Sequence, residues 1–121
     1  MNRLTIDDLK EIINGVKSYS FSQEEKNKAI ESYNYLKSFS KENLVYGINT
    51  GFGPMVDFKV NKADQTSLQY NLIRSHSSGM GPPLPSKVVL TLMIIRLHTF
   101  LQAKSGVSAS LIETLSNYIF C

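Results

Sequence analysis

A chain of 121 residues, 42% of them hydrophobic and 19% charged, has the length of one domain, buries roughly two thirds of its unfolded surface and is too apolar for disorder. Its net charge of +3 comes from basic residues scattered along the chain rather than gathered on one face, which argues against nucleic acid as a partner. The one cysteine, Cys121, excludes an intramolecular disulfide and a thiolate metal site, and no signal-peptide-like start or bilayer-length apolar run is present, so a cytoplasmic protein with no membrane contact and no metal is expected.

In chain order, Thr5 stands three residues before Asp8 at capping-box spacing, with Leu9, Ile12 and Ile13 on one face and Gly15 where a helix would stop. Ser22 and Glu25 repeat the capping box ahead of a second helix through Ala29, Ile30, Tyr33 and Leu36, the clearest surface helix of the chain. From Val45 to Val60 the helical period fails. Three glycines and a proline fall between Gly47 and Pro54, so a loop is predicted, of a length more typical of function than of simple connection.

A third helix is predicted from Asp64, with Leu68, Leu72, Ser75, His76 and Gly79 on one stripe. A fourth, capped by Ser86, is apolar almost all round and should be buried on every side. The last segment, from Ser108, puts Leu111, Ile112, Leu115, Tyr118 and Ile119 on one face. It closes on the apolar run Tyr118–Phe120, which reads as a helix cut short, because native termini are usually polar. The predicted fold is mainly α, with about five helices and one long Gly-rich loop.

Two stretches carry specific information. The first is Tyr46-Gly47-Ile48-Asn49-Thr50-Gly51-Phe52-Gly53; the second runs Leu68-Gln69-Tyr70-Asn71-Leu72-Ile73-Arg74-Ser75-His76-Ser77-Ser78-Gly79. Together they resemble the amino-terminal part of the aromatic amino acid lyases, the family of histidine and phenylalanine ammonia-lyases and related aminomutases, and the likeness runs from about Leu4 to the end. The resemblance implies that residues 1–121 are the helical amino-terminal domain of the ammonia-lyase fold. It also implies that Tyr46 is the catalytic base on the substrate's β-carbon and that Gly47, Gly51 and Gly53 shape its loop.

A β-proton is a poor acid, so a phenol of ordinary pKa about 10 has to be held as phenolate, or poised near it, to remove one. The glycines would let the backbone turn through positive φ and approach a ligand closely. His76 matches the position that contacts the substrate side chain, and the Ser75-His76 pair resembles the histidine-specific members of the family. An imidazole can exchange a hydrogen bond with the substrate's own imidazole, which an apolar residue cannot. Asn71 and Ser75 share a helix face but carry little weight, because polar residues on packing helices do this routinely. Arg74 reads as a surface or interface cation. At His98 and Ala103 the chain departs from the family, which more often shows asparagine and glycine there.

The implied cofactor is a methylidene-imidazolone formed by cyclisation of an Ala-Ser-Gly tripeptide. This chain lacks that tripeptide: Ala109-Ser110 is followed by Leu111. The implied reaction of the parent polypeptide is deamination of L-histidine to urocanate and ammonia, with the 121-residue chain alone inactive and the parent a homotetramer. Two alternatives stand beside it: an aminomutase acting on tyrosine or another aromatic amino acid, and a non-catalytic, truncated helical assembly module.

Overall fold

The computed structural model describes residues 3–120, which form five helices and no strand. These are α1 (Ile6–Ile13), α2 (Gln23–Glu42), α3 (Lys62–His76), α4 (Ser86–Leu101) and α5 (Ala109–Phe120), with one short 3-10 turn at Gly53–Met55. Cys121 lies outside the described residues. Among the described residues no helix is long and apolar enough to cross a membrane.

Both predicted capping boxes are present. The Asp8 amide donates to Thr5 Oγ1 at 3.1 Å while the Thr5 amide donates to the Asp8 carboxylate at 3.0 Å. The Ser22 amide reaches the Glu25 carboxylate at 2.8 Å, and the Glu25 amide reaches Ser22 Oγ at 3.2 Å. Each satisfies two of the amides that a helix start leaves orphaned.

The chain divides into two compact units, Met1–Leu36 with Pro83–Cys121, and Lys37–Pro82. In the first, a core forms around Ala29, Leu97, Leu101 and Ile112, with Tyr19, Phe21, Phe100, Val107, Leu115 and Ile119 packed against it. Each fully buried leucine or isoleucine there contributes about 1.5–3 kcal/mol of transfer free energy.

Helix α4 is not buried on every side. It contacts α1 and α5, and the stripe Ile94, Leu97 and Leu101 is buried, while Val88, Leu92 and Ile95 on the other side stay exposed, Leu92 at 55%. The all-round apolar character is real, but the described helices cover only one flank. Its cap also differs from expectation: Ser86 is the first helical residue, Pro85 takes the N-cap position, and no side chain caps the helix. In α5, Ile112 is buried and Leu115 and Ile119 pack on the core, whereas Leu111 and Tyr118 face outward. The predicted five-residue face is therefore divided.

The second unit contains the end of α2, the Val45–Val60 loop and α3. Helix α3 begins at Lys62, two residues before the predicted Asp64, and ends at His76, so Gly79 lies beyond the helix and off its stripe.

Candidate functional site

The loop that starts at Tyr46 is ordered by its own polar residues. Asn49, only 3% exposed, donates through Nδ2 to the carbonyls of Ser40 at 2.6 Å and Asn43 at 2.8 Å, and its Oδ1 accepts from the Val45 amide at 2.8 Å. It thereby satisfies carbonyls at the end of α2 that the helix leaves without partners. Thr50, also buried, accepts from the Gly47 amide at 3.3 Å and donates to the Gly51 carbonyl at 2.9 Å. A bridge pairs Thr50 with Lys59, supported by Gly51 N–H to Phe58 O at 3.2 Å and Val60 N–H to Asn49 O at 2.9 Å.

Gly47 and Gly53 take positive φ, +73° and +57°, a region that L-residues enter at a cost. Gly51 does not. Its missing Cβ serves a different need, since a carbon there would sit 2.6 Å from Met55 Cβ and 2.7 Å from the Met55 carbonyl oxygen. The close approach at Gly51 is thus to Met55, within the loop itself.

Tyr46 is held quite differently from Asn49 and Thr50. The residue is 61% exposed, and its ring meets Phe52 edge-on, with centroids 5.8 Å apart at an interplanar angle of 85°. The phenol is not packed into the helical core.

His76 closes α3 and is exposed. Its Nδ1 lies 2.9 Å from the Leu72 carbonyl oxygen and 3.0 Å from Ser75 Oγ. A carbonyl can only accept, so Nδ1 carries the proton, and in the neutral ring Nε2 holds the lone pair. Ser75 Oγ itself donates to the Leu72 carbonyl at 2.9 Å. Arg74 lies over the Tyr70 ring at 5.9 Å, and Asn71 is exposed. Among the described residues Tyr46 and His76 make no hydrogen bond or ring contact with each other.

What connects their segments is Gln69, which sequence reasoning passed over. Its Nε2 donates to the Gly47 carbonyl at 3.0 Å. Its position inside the second motif was the available signal. Asn49 and Thr50 were passed over as well, although a motif that places Asn-Thr between glycines offers side chains able to satisfy turn amides and carbonyls.

A cleft of about 770 Å³ lies in the other unit, lined by residues that include Tyr19, His98, Gln102, Asp8, Lys17 and Lys28. It includes neither Tyr46 nor His76. Four of its charges form two ion pairs, Asp8 with Lys17 and Glu24 with Lys28, while the Glu25 carboxylate accepts from Ser22. The Lys17 ammonium, ahead of the Thr5 hydroxyl, holds the Asp8 carboxyl well below the usual range. His98, one of the departures from the family pattern, has partners there: Tyr19 Oη is 3.2 Å from Nδ1 and Gln102 Nε2 is 3.0 Å from Nε2. Burial, with the Glu25 charge second, pushes the Tyr19 phenol up to about 12.

Among the described residues no group of three His, Cys, Asp or Glu side chains could hold a metal ion. The residues nearest in sequence to the tripeptide that forms a methylidene-imidazolone are Ala109, Ser110 and Leu111, and they do not fit that group. They open α5, and the Leu111 amide donates to Ser108 Oγ at 3.3 Å in the first helical turn.

Comparison with known proteins adds the following. The sequence profile described as aromatic amino acid lyase matches residues 4–120. Histidine ammonia-lyase of Staphylococcus saprophyticus is 37% identical over 117 residues, covering 96% of this chain and 23% of that protein. Histidine ammonia-lyase of Caldanaerobacter subterraneus is 37% identical over 119 residues, covering 98% of this chain and 23% of that protein. Among solved structures, tyrosine aminomutase from Streptomyces globisporus superposes with a TM-score of 0.84 at 29% identity, over 96% of this chain and 22% of that one. The chain thus spans about a quarter of the length of the relatives it matches.

Proposed function

The chain belongs to the aromatic amino acid lyase family, and from that premise we propose that residues 1–121 form the amino-terminal part of an ammonia-lyase that converts L-histidine to urocanate and ammonia. Tyr46 is the base. Its phenolate oxygen takes the β-proton, the C–H pair becomes the new carbon–carbon double bond, and the carbon–nitrogen bond breaks as ammonia leaves. The electrophile this elimination needs is not supplied by these residues, so the 121-residue chain alone is inactive. The observation that carries the reading is the exposure of Tyr46, at 61%, on the stretch Tyr46–Gly53, whose other polar side chains, Asn49 and Thr50, are buried and spent on holding its backbone.

His76 contacts the substrate imidazole. With Nδ1–H committed to Leu72, the free Nε2 accepts from the substrate ring's N–H. The 37% identity to two histidine ammonia-lyases supports histidine over other substrates. A second reading, an aminomutase that moves the amino group to the β-carbon, is favoured by the superposition on tyrosine aminomutase. It keeps the same base. The protein is proposed to work as a cytoplasmic homotetramer.

The test uses the full-length protein carrying these residues, with urocanate followed by its absorbance and products separated after incubation with histidine or tyrosine. Tyr46→Phe is expected to lower kcat by at least about 100-fold, the usual contribution of a positioned base. Wild-type turnover in that variant rejects the assignment, and a β-amino acid as the main product replaces the lyase reading with the mutase one.

A further inference from the structure

The side chain of Tyr46 does little to fix its own position. Tyr46 is exposed, its ring contact among the described residues is with Phe52, and the backbone that follows swings through Gly47 at φ +73°. The direction of the phenol depends on how the backbone on either side is held: Val45, before it, is tied to Ile48 and Asn49 within the loop, and Gly47 follows it. The Gly47 amide bonds to Thr50, a partner inside the same loop that would move with it. The Gly47 carbonyl bonds to Gln69, on α3, two helical turns before His76.

Gln69 has a companion. Gln65, one turn earlier on the same helix, donates through Nε2 to the Val60 carbonyl at 3.2 Å. The two glutamines stand at i and i+4 on one face of α3. One holds the loop where it leaves Tyr46 and the other where it enters α3. The clasp at Val60 is reinforced by the Asn49 carbonyl, which takes the Val60 amide. At Gly47, where the amide goes to Thr50 within the loop, Gln69 is the contact that reaches outside the loop among the described residues.

We propose that Gln69 is a positioning residue for the Tyr46 base: its side-chain amide pins the Gly47 peptide to the helix that carries His76, so that the phenol and the substrate contact keep one spacing. A carbonyl needs a donor, and at 3.0 Å the glutamine amide supplies a well-formed one. Proton removal from carbon is sensitive to this kind of support, because a misplacement of about 1 Å costs on the order of 100-fold in rate.

The proposal rests on Tyr46 acting as the base, and the experiment separates the two ideas. In the full-length protein, Gln69→Met keeps the length of the side chain and removes the donor, while Gln69→Lys restores a donor. Gln69→Met is expected to lower kcat roughly 10- to 100-fold with KM for histidine changed less than about threefold, and Gln69→Lys to recover most of the loss. Hydrogen exchange over residues 45–60 should quicken in Gln69→Met and stay unchanged in α4. Wild-type kcat in Gln69→Met beside an inactive Tyr46→Phe overturns the role of Gln69 alone. Full activity in Tyr46→Phe removes the base and the role of Gln69 together. Equal losses in the Met and Lys variants, with faster exchange throughout α4, overturn the proposal in favour of general destabilisation.

Discussion

Replacing Asn49 probes how the loop is held. The side chain is almost fully buried and makes three hydrogen bonds: two donated to carbonyls at the end of α2 and one accepted from the Val45 amide. A net value of about 1 kcal/mol for each bond puts the loss in Asn49→Ala near 3 kcal/mol. Ser40 is only partly buried and Asn43 is exposed, so water can replace part of that, and about 2 kcal/mol is the expected destabilisation. Asn49→Asp sharpens the test. It has the same shape and keeps the acceptor for Val45, but it turns a carboxylate oxygen toward two carbonyl oxygens that need donors. The aspartate variant should therefore be less stable at pH 7 than the alanine variant, although it is the closer mimic. Urea unfolding with hydrogen exchange across residues 40–60 reads both changes. An aspartate variant as stable as the natural protein, or an alanine variant within about 0.5 kcal/mol of it, refutes the reasoning.

Two further outcomes follow from the other unit. Ala103 stands just after α4 at φ +58°, where an L-residue is strained by about 1–2 kcal/mol; glycine returns about 0.4–1 kcal/mol of that through unfolded-chain entropy. Ala103→Gly should stabilise by about 0.5–1 kcal/mol and raise the calorimetric Tm by a few degrees, and an unchanged or lower Tm contradicts this. The Tyr19 phenol, raised from 10.0 to about 12, is favoured neutral in the folded state. Its contribution is full below the unfolded value of 10.0 and is lost as pH climbs toward 12. The stability difference between the natural protein and Tyr19→Phe should stay level to about pH 10 and shrink above it; a level difference all the way to pH 12 counts against the burial argument.

How much of this was legible in the sequence depends on the range of the interaction. The capping boxes at Thr5–Asp8 and Ser22–Glu25 were readable because donor and acceptor lie three residues apart and need no tertiary partner. The α5 face was half readable. At 100° per residue, Leu111 and Tyr118 lie on one edge of the apolar arc and Ile112 and Ile119 on the other, about 100° away. The core took the Ile112–Ile119 side, a choice set by where α4 lies and not by the pattern. The same reasoning applies to α4, whose apolar residues on every side say nothing about which flank a neighbour covers.

The candidate site divides along a similar line. Tyr46 and the glycines drew attention because each has a reason that can be stated for a single residue: a phenol is a base, and a glycine can take positive φ. Asn49 and Gln69 had none until their partners were known, since an amide side chain has the same look in a solvated helix as in a buried clasp. Within Tyr46–Gly53 the burial runs opposite to what polarity alone suggests. The asparagine and threonine are inside and the large aromatic phenol is outside. Burying polar side chains is costly unless each finds its partners, and here they do. A loop that only had to connect two helices could have left Asn49 and Thr50 in water and packed the tyrosine. This one does the reverse, which leaves the ring reachable on a braced backbone, as the proposed role of Tyr46 needs.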